Sequence, residues 1–201
     1  KKKKKKKIKG LILIKSTRKT NETDITAELN IYGTGVSNID TGIKFFDHML
    51  ETFSKHSYFD INIKCVGDLE VDFHHTVEDV GIVLGELFAR TIYPLKNIER
   101  FGSANIVMDE SLSSTTLDVI ERPFFYYKNN FLFGKIGSFD SELIEEFLKS
   151  FIFNAKITAH IVTERGTNKH HISESLFKSL AVALRKAVKV SDSYVIPSTK
   201  Y

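Results

Sequence analysis

The chain has 201 residues, of which 42% are hydrophobic and 27% charged, enough for one medium globular body or two tightly fused halves. The lysines at 1–7 carry +7 of a net charge of +4, so the rest of the chain stands at −3: the body is mildly acidic and the basic character, with any pull on nucleic acid or a membrane surface, belongs to the lysine run. No apolar stretch is long enough to span a bilayer, and the single Cys65 leaves no intrachain disulfide, which fits a reducing cytoplasm.

Residues 1–9 read as a basic disordered tail, residues 10–98 as a first α+β repeat and residues 99–201 as a second. No Pro-, Gly- or Ser-rich linker separates the repeats, so one fused body is expected. Residues 23–31 predict a strand with Ile25, Ala27, Leu29 and Ile31 on one face. Residues 46–53 predict an amphipathic helix with Asp47 and His48 on its polar side. Residues 59–66 alternate again and end at Gly67. A long helix follows, with Val77, Val80, Leu84, Leu87 and Phe88 on one stripe.

The second half repeats this order. Strands are expected over 104–108 and 114–120, and a hairpin over 124–127 and 131–136. A helix over 143–153 carries Glu145 and Glu146 on its polar side, and a strand over 155–163 precedes Gly166. The last helix aligns Ile172, Leu176, Leu180, Ala183 and Leu184. The fold class is therefore α+β, a duplicated half-motif in which each antiparallel sheet buries its helices against those of the other half.

Each long helix begins with His-His-x-x-Glu: His74, His75 and Glu78 in the first half, His170, His171 and Glu174 in the second. Helical spacing brings imidazole and carboxylate to one face, and that donor set suits manganese, iron or zinc. A single His pair at a helix start is more often a surface or capping feature. Two copies with matching glutamates reverse that weighing. His48 lies 19 residues before Gly67 and Glu146 lies 20 before Gly166, so the duplication makes these two residues counterparts.

Other ordered segments accompany the pattern: Arg18-Lys-Thr-Asn-Glu22-Thr23, Thr41-Gly-Ile-Lys-Phe-Phe-Asp-His48-Met-Leu50, Gly67-Asp68 through His74-His75-Thr-Val-Glu78-Asp79, Arg100-Phe-Gly102, Met108-Asp-Glu110, Arg122-Pro123, Gly166-Thr-Asn-Lys-His170-His171, Phe177-Lys178 and Pro197-Ser-Thr-Lys200. Together they resemble the imidazoleglycerol-phosphate dehydratase family nearly end to end, the lysine tail excepted. The resemblance implies two mainly antiparallel four-stranded sheets with four helices packed between them. It also implies a metal-dependent hydro-lyase of histidine biosynthesis in the cytoplasm, converting imidazoleglycerol phosphate to imidazoleacetol phosphate through a metal-bound imidazolate. Two Mn2+ ions per active site are implied, other divalent transition metals being admissible. The implied assembly is a homo-oligomer of 24 subunits with active sites where subunits meet. Neither nucleic acid nor a membrane is expected as a partner.

By the same resemblance the metal ligands are His48, His74, His75, Glu78, Glu146, His170, His171 and Glu174, a similar quartet from each half. Glu22 is implied as the substrate-contacting base that removes the carbon proton, and Glu174 doubles as ligand and proton carrier. Phosphate is expected at Arg100, Arg122, Lys178, Ser198 and Lys200, guanidinium suiting bidentate contacts. His56 and His160 read as structural residues or as partners of the ligands.

Three positions depart from the family. Phe73 stands where an Asp is usual, so an expected hydrogen bond beside the His pair is lost or replaced; Glu146 stands where many members have His; Thr52 replaces a common Gln. The rival readings are a dinuclear metal hydrolase of a small phosphorylated substrate and a non-enzymatic shell that stores metal or binds nucleic acid.

Overall fold

The computed structural model of the chain describes residues 13–95 and 97–191. The expectations for the tail at 1–9, for Ser198 and for Lys200 lie outside the described residues.

The first half runs β1 (Ile14–Lys19), β2 (Thr23–Asn30), β3 (Ser37–Asp40), α1 (Lys44–Ser57), β4 (Asp60–Gly67) and α2 (His74–Ile92). The second runs β5 (Phe101–Met108), β6 (Ser111–Asp118), β7 (Phe124–Lys128), the short ribbon β8 (Lys135–Ile136) and β9 (Phe139–Asp140), α3 (Leu143–Asn154), β10 (Thr158–Arg165) and α4 (Lys169–Ala187). The two four-stranded sheets are ordered β1-β2-β4-β3 and β5-β6-β10-β7. In each, three strands are antiparallel and the last lies parallel to its neighbour. The duplication is thus present in the topology, and the fold class is as expected.

The alternation of β2 buries Thr23, Ile25, Ala27 and Leu29 on the helix-facing side, as a half-covered strand requires. The helices pair across the halves, α1 on α4 and α2 on α3. Phenylalanines from all four helices meet in the centre: Phe46 with Phe147 at 5.4 Å, Phe53 with Phe151 at 5.8 Å, Phe88 with Phe151 at 6.1 Å and Phe147 with Phe177 at 5.3 Å. Each such pair adds about 0.5–1.5 kcal/mol beyond the area it buries. Two glycines let α2 approach α3: a Cβ at Gly85 would stand 2.6 Å from the carbonyl oxygen of Phe151. No helix among the described residues is long and apolar enough to cross a membrane.

Three expectations need correction. Residues 124–127 and 131–136 do not form a hairpin, because β7 lies parallel to β10 and β8 pairs with β9. Alternation identifies a strand but not its partner, and the open edge of β10 offers β7 its hydrogen bonds. The first helix is longer than its apolar stripe, running from Lys44 to Ser57. Asp47, expected on the polar side, is buried and accepts hydrogen bonds from the backbone N–H and hydroxyl of Thr41 at 2.8 and 2.6 Å. It fastens the loop that leads into α1.

Candidate functional site

Helix α4 starts on Asn168, whose side chain accepts hydrogen bonds from the backbone N–H groups of His170 and His171 at 2.9 and 3.4 Å. This N-cap fixes both histidines in the first turn. His170 Nε2 lies 3.0 Å from Oε1 of Glu174, one turn further on. The packing of α1 against α4 brings His48 Nε2 to 3.2 Å from the same oxygen. Their ligand atoms all lie within 4.8 Å of one another, the one such group of three among the described residues. The cluster draws on both halves of the chain rather than on one.

Lys178 follows Glu174 by one turn and donates to its other oxygen. Burial pushes the Glu174 carboxyl up, but hydrogen bonds from Lys178, His170 and His48 outweigh it and hold the pKa to about 2. Glu174 is therefore an ionised acceptor at neutral pH. His48, Glu174 and Lys178 line an open cleft of about 490 Å³ together with Thr52, Lys55 and His56. Burial, with Lys178 and Arg185 next, disfavours the charged form of His56.

The first-half copy is looser. His74 Nε2 stands 3.6 Å from Glu78 Oε2 on α2, and both side chains are well exposed. Glu146, on the adjoining α3, faces Lys149 at 3.9 Å. Phe73 supplies no side-chain cap to α2, and Asp72 accepts from the His74 N–H at 2.7 Å in its place.

The second histidine of each pair is held by a carboxylate. Asp68 Oδ2 lies 3.0 Å from His75 Nδ1, and Glu110 Oε2 lies 2.8 Å from His171 Nδ1. These contacts raise both histidines above their ordinary pKa. Glu110 is held far below the carboxylate range by His171 and by the N–H groups of Asn168 and Thr167.

Glu22 projects from the β1–β2 turn to 3.6 Å from His75 Nε2, and its side chain is half exposed. That turn is stapled to α2, because the Arg18 guanidinium and the Thr23 hydroxyl both donate to the buried carboxylate of Asp79. Asp68, Glu110 and Asp79 were not among the expected site residues. All three stand inside the family segments, but the contacts that define them span 7, 61 and up to 61 residues.

Among the described residues, the expected phosphate groups Arg100, Arg122 and Lys178 are not gathered in one place. Arg100 is buried and makes a bidentate pair with Asp118 at 2.7 and 2.9 Å, with its guanidinium over the Phe101 ring. Arg122 is exposed, 3.9 Å from Asp118. Neither lines the cleft that holds Lys178. His160 stands exposed on the outer sheet face, near the rings of Phe124 and Tyr126 at 5.6 and 5.4 Å.

A family model described as imidazoleglycerol-phosphate dehydratase matches residues 41–184. Proteins of that name from Sulfurimonas denitrificans and Nitratiruptor sp. are 57% and 56% identical to the chain over 188 residues, covering 94% of it and 98% of each relative. The crystal structure of imidazoleglycerol-phosphate dehydratase from Staphylococcus aureus superposes with a TM-score of 0.82 at 34% identity, covering 90% of this chain and 100% of that one.

Proposed function

Because the chain belongs to the imidazoleglycerol-phosphate dehydratase family, we propose that it dehydrates imidazoleglycerol phosphate to imidazoleacetol phosphate in histidine biosynthesis, with divalent metal bound at its histidine-glutamate sites. The observation that carries the metal part of this reading is the convergence of His48 Nε2, His170 Nε2 and Glu174 Oε1 within 4.8 Å. Two imidazole nitrogens and an ionised carboxylate suit a divalent transition metal, Fe2+ and Zn2+ as well as Mn2+, and it is the family resemblance that puts Mn2+ first. These three residues would hold one cation. His74, His75, Glu78, Glu146 and His171 are proposed as the further donors for a second, completed where copies of the chain meet in a 24-subunit shell.

Bound there, the cations supply positive charge that holds the imidazole ring and favours its deprotonated form. The chain's own residues do the rest. Glu22, half exposed and fixed to α2 through Thr23 and Asp79, takes the proton from the carbon beside the one that loses hydroxide. Glu174, ionised and with the Lys178 ammonium against it, takes up the proton the imidazole ring gives up and passes it to the departing hydroxide, which leaves as water. The enol so formed relaxes to the ketone. Lys178, Arg122, Arg100, Ser198 and Lys200 bind phosphate where copies of the chain meet, since within one copy neither Arg100 nor Arg122 lines the cleft that holds Lys178, and the reaction needs neither a redox step nor an organic cofactor.

Metal analysis combined with an assay of the purified protein tests this. Dehydration should stop when a chelator removes the metal and return with Mn2+, and no inorganic phosphate should appear. Turnover indifferent to the chelator would refute the metal reading, and phosphate release would favour the dinuclear hydrolase instead.

A further inference from the structure

Each half places a carboxylate against the same ring atom of the second histidine of its pair. Asp68 lies just beyond β4 and reaches His75 Nδ1 at 3.0 Å. Glu110 lies in the turn between β5 and β6 and reaches His171 Nδ1 at 2.8 Å. The two acids come from different parts of the half-motif, so the contact is made twice by different means.

Each acid is anchored apart from its histidine. The backbone N–H of Asp68 donates to the carbonyl of Glu22 at 3.1 Å. Oε1 of Glu110 accepts from the N–H groups of Thr167 and Asn168 at 3.1 and 2.8 Å and from the Ser111 hydroxyl at 3.0 Å. Its other oxygen is thus set against the ring. A second observation isolates Glu110 from the base. Glu22 stands immediately before β2 and Glu110 immediately before β6, so the two glutamates hold equivalent positions. Yet Glu22 faces Nε2 of its histidine, whereas Glu110 grips Nδ1 and the start of α4.

We propose that Asp68 and Glu110 are positioning residues that accept the Nδ1 proton of His75 and His171, fixing ring orientation and tautomer so that Nε2 presents its lone pair to a divalent cation. Neutral imidazole has one N–H and one lone pair, and the hydrogen bond at one nitrogen decides which atom is left to bind. Glu110 is by this assignment a divergent copy of the base position that supports the metal site and handles no substrate proton. The inference rests on the reading that His75 and His171 are metal ligands.

The test measures binding of Mn2+ alone to the whole metal-stripped protein. Glu110→Gln keeps the shape but has a single acceptor oxygen, which cannot serve both the Thr167 and Asn168 N–H groups and the ring. Its Mn2+ affinity should fall about 10–100-fold, and Asp68→Asn should do the same for the first half. Asn168→Ala, which loosens the first turn of α4 without touching Nδ1, should lose less than either. Unchanged affinity in Glu110→Gln overturns the proposal, as does an equal loss in Asn168→Ala, which would make Glu110 a structural brace. If Glu110→Gln does not fold, Asp68→Asn decides by the same criterion. An unaltered protein that binds no Mn2+ would instead remove the metal reading itself, and this inference with it.

Discussion

Replacing Glu174 with glutamine in the metal-free protein isolates charge from shape at the centre of the site. Glu174 is 9% exposed, and Lys178, His170 and His48 all point hydrogen-bonding nitrogens at its two oxygens. Against the upward push of burial these contacts bring its pKa from 4.5 to about 2. A carboxylate depressed in the folded state contributes stability that is fully present above its unfolded pKa and is lost as pH falls from about 4.5 towards 2. A shift of that size is worth roughly 3 kcal/mol at neutral pH, at the upper end of the ~1.5–3 kcal/mol for a hydrogen bond to a charged group. Glutamine fills the same volume but leaves the largely buried Lys178 ammonium without a counter-charge. For a chain of this size the variant should melt roughly 6–12 °C lower at pH 7 in the presence of a chelator. The gap between the two proteins should narrow steadily below about pH 4.5 and almost vanish near pH 2. A gap of the same size at both ends of that range, or none at pH 7, would refute the reasoning.

Two further outcomes follow from the geometry. Glu22→Gln removes no proposed metal ligand and leaves the His48–His170–Glu174 cluster untouched, so it should bind Mn2+ like the unaltered protein but lose turnover; normal turnover would exclude Glu22 as the base. Gly85→Ala should force α2 and α3 apart, because the added Cβ would sit 2.6 Å from the Phe151 carbonyl and 2.8 Å from the Ala155 nitrogen. Overpacking of this kind costs about 1–3 kcal/mol, and an unchanged denaturation midpoint would show that the helices yield freely.

What was legible in the chain is what is local. His170 and Glu174 stand one helical turn apart, so spacing alone put them on one face, and the alternation of β2 and β4 gave the half-covered sheet. The family segments then supplied the order of the whole. What spacing could not supply is which distant residue closes on which. His48 meets Glu174 across 126 positions, and a similar quartet from each half left open which donors come together. Arg100 is expected at phosphate, and its pairing with Asp118, 18 positions on and across a strand pair, is a contact that spacing does not announce. Glu110 carried no periodic signal at all, and its meaning comes only from the turn that folds it over the start of α4.

The exchange of helix partners, α1 resting on α4 and α2 on α3, is the arrangement two identical half-length chains would adopt about a twofold axis, each contact repeated by symmetry. A true dimer of that kind must use the same residue for the same task at both ends. Joined into one polypeptide, the ends are released from that obligation. Glu22 and Glu110, equal in place, are therefore free to meet unlike partners, one facing Nε2 of His75 and the other Nδ1 of His171, an asymmetry that an exact twofold could not hold.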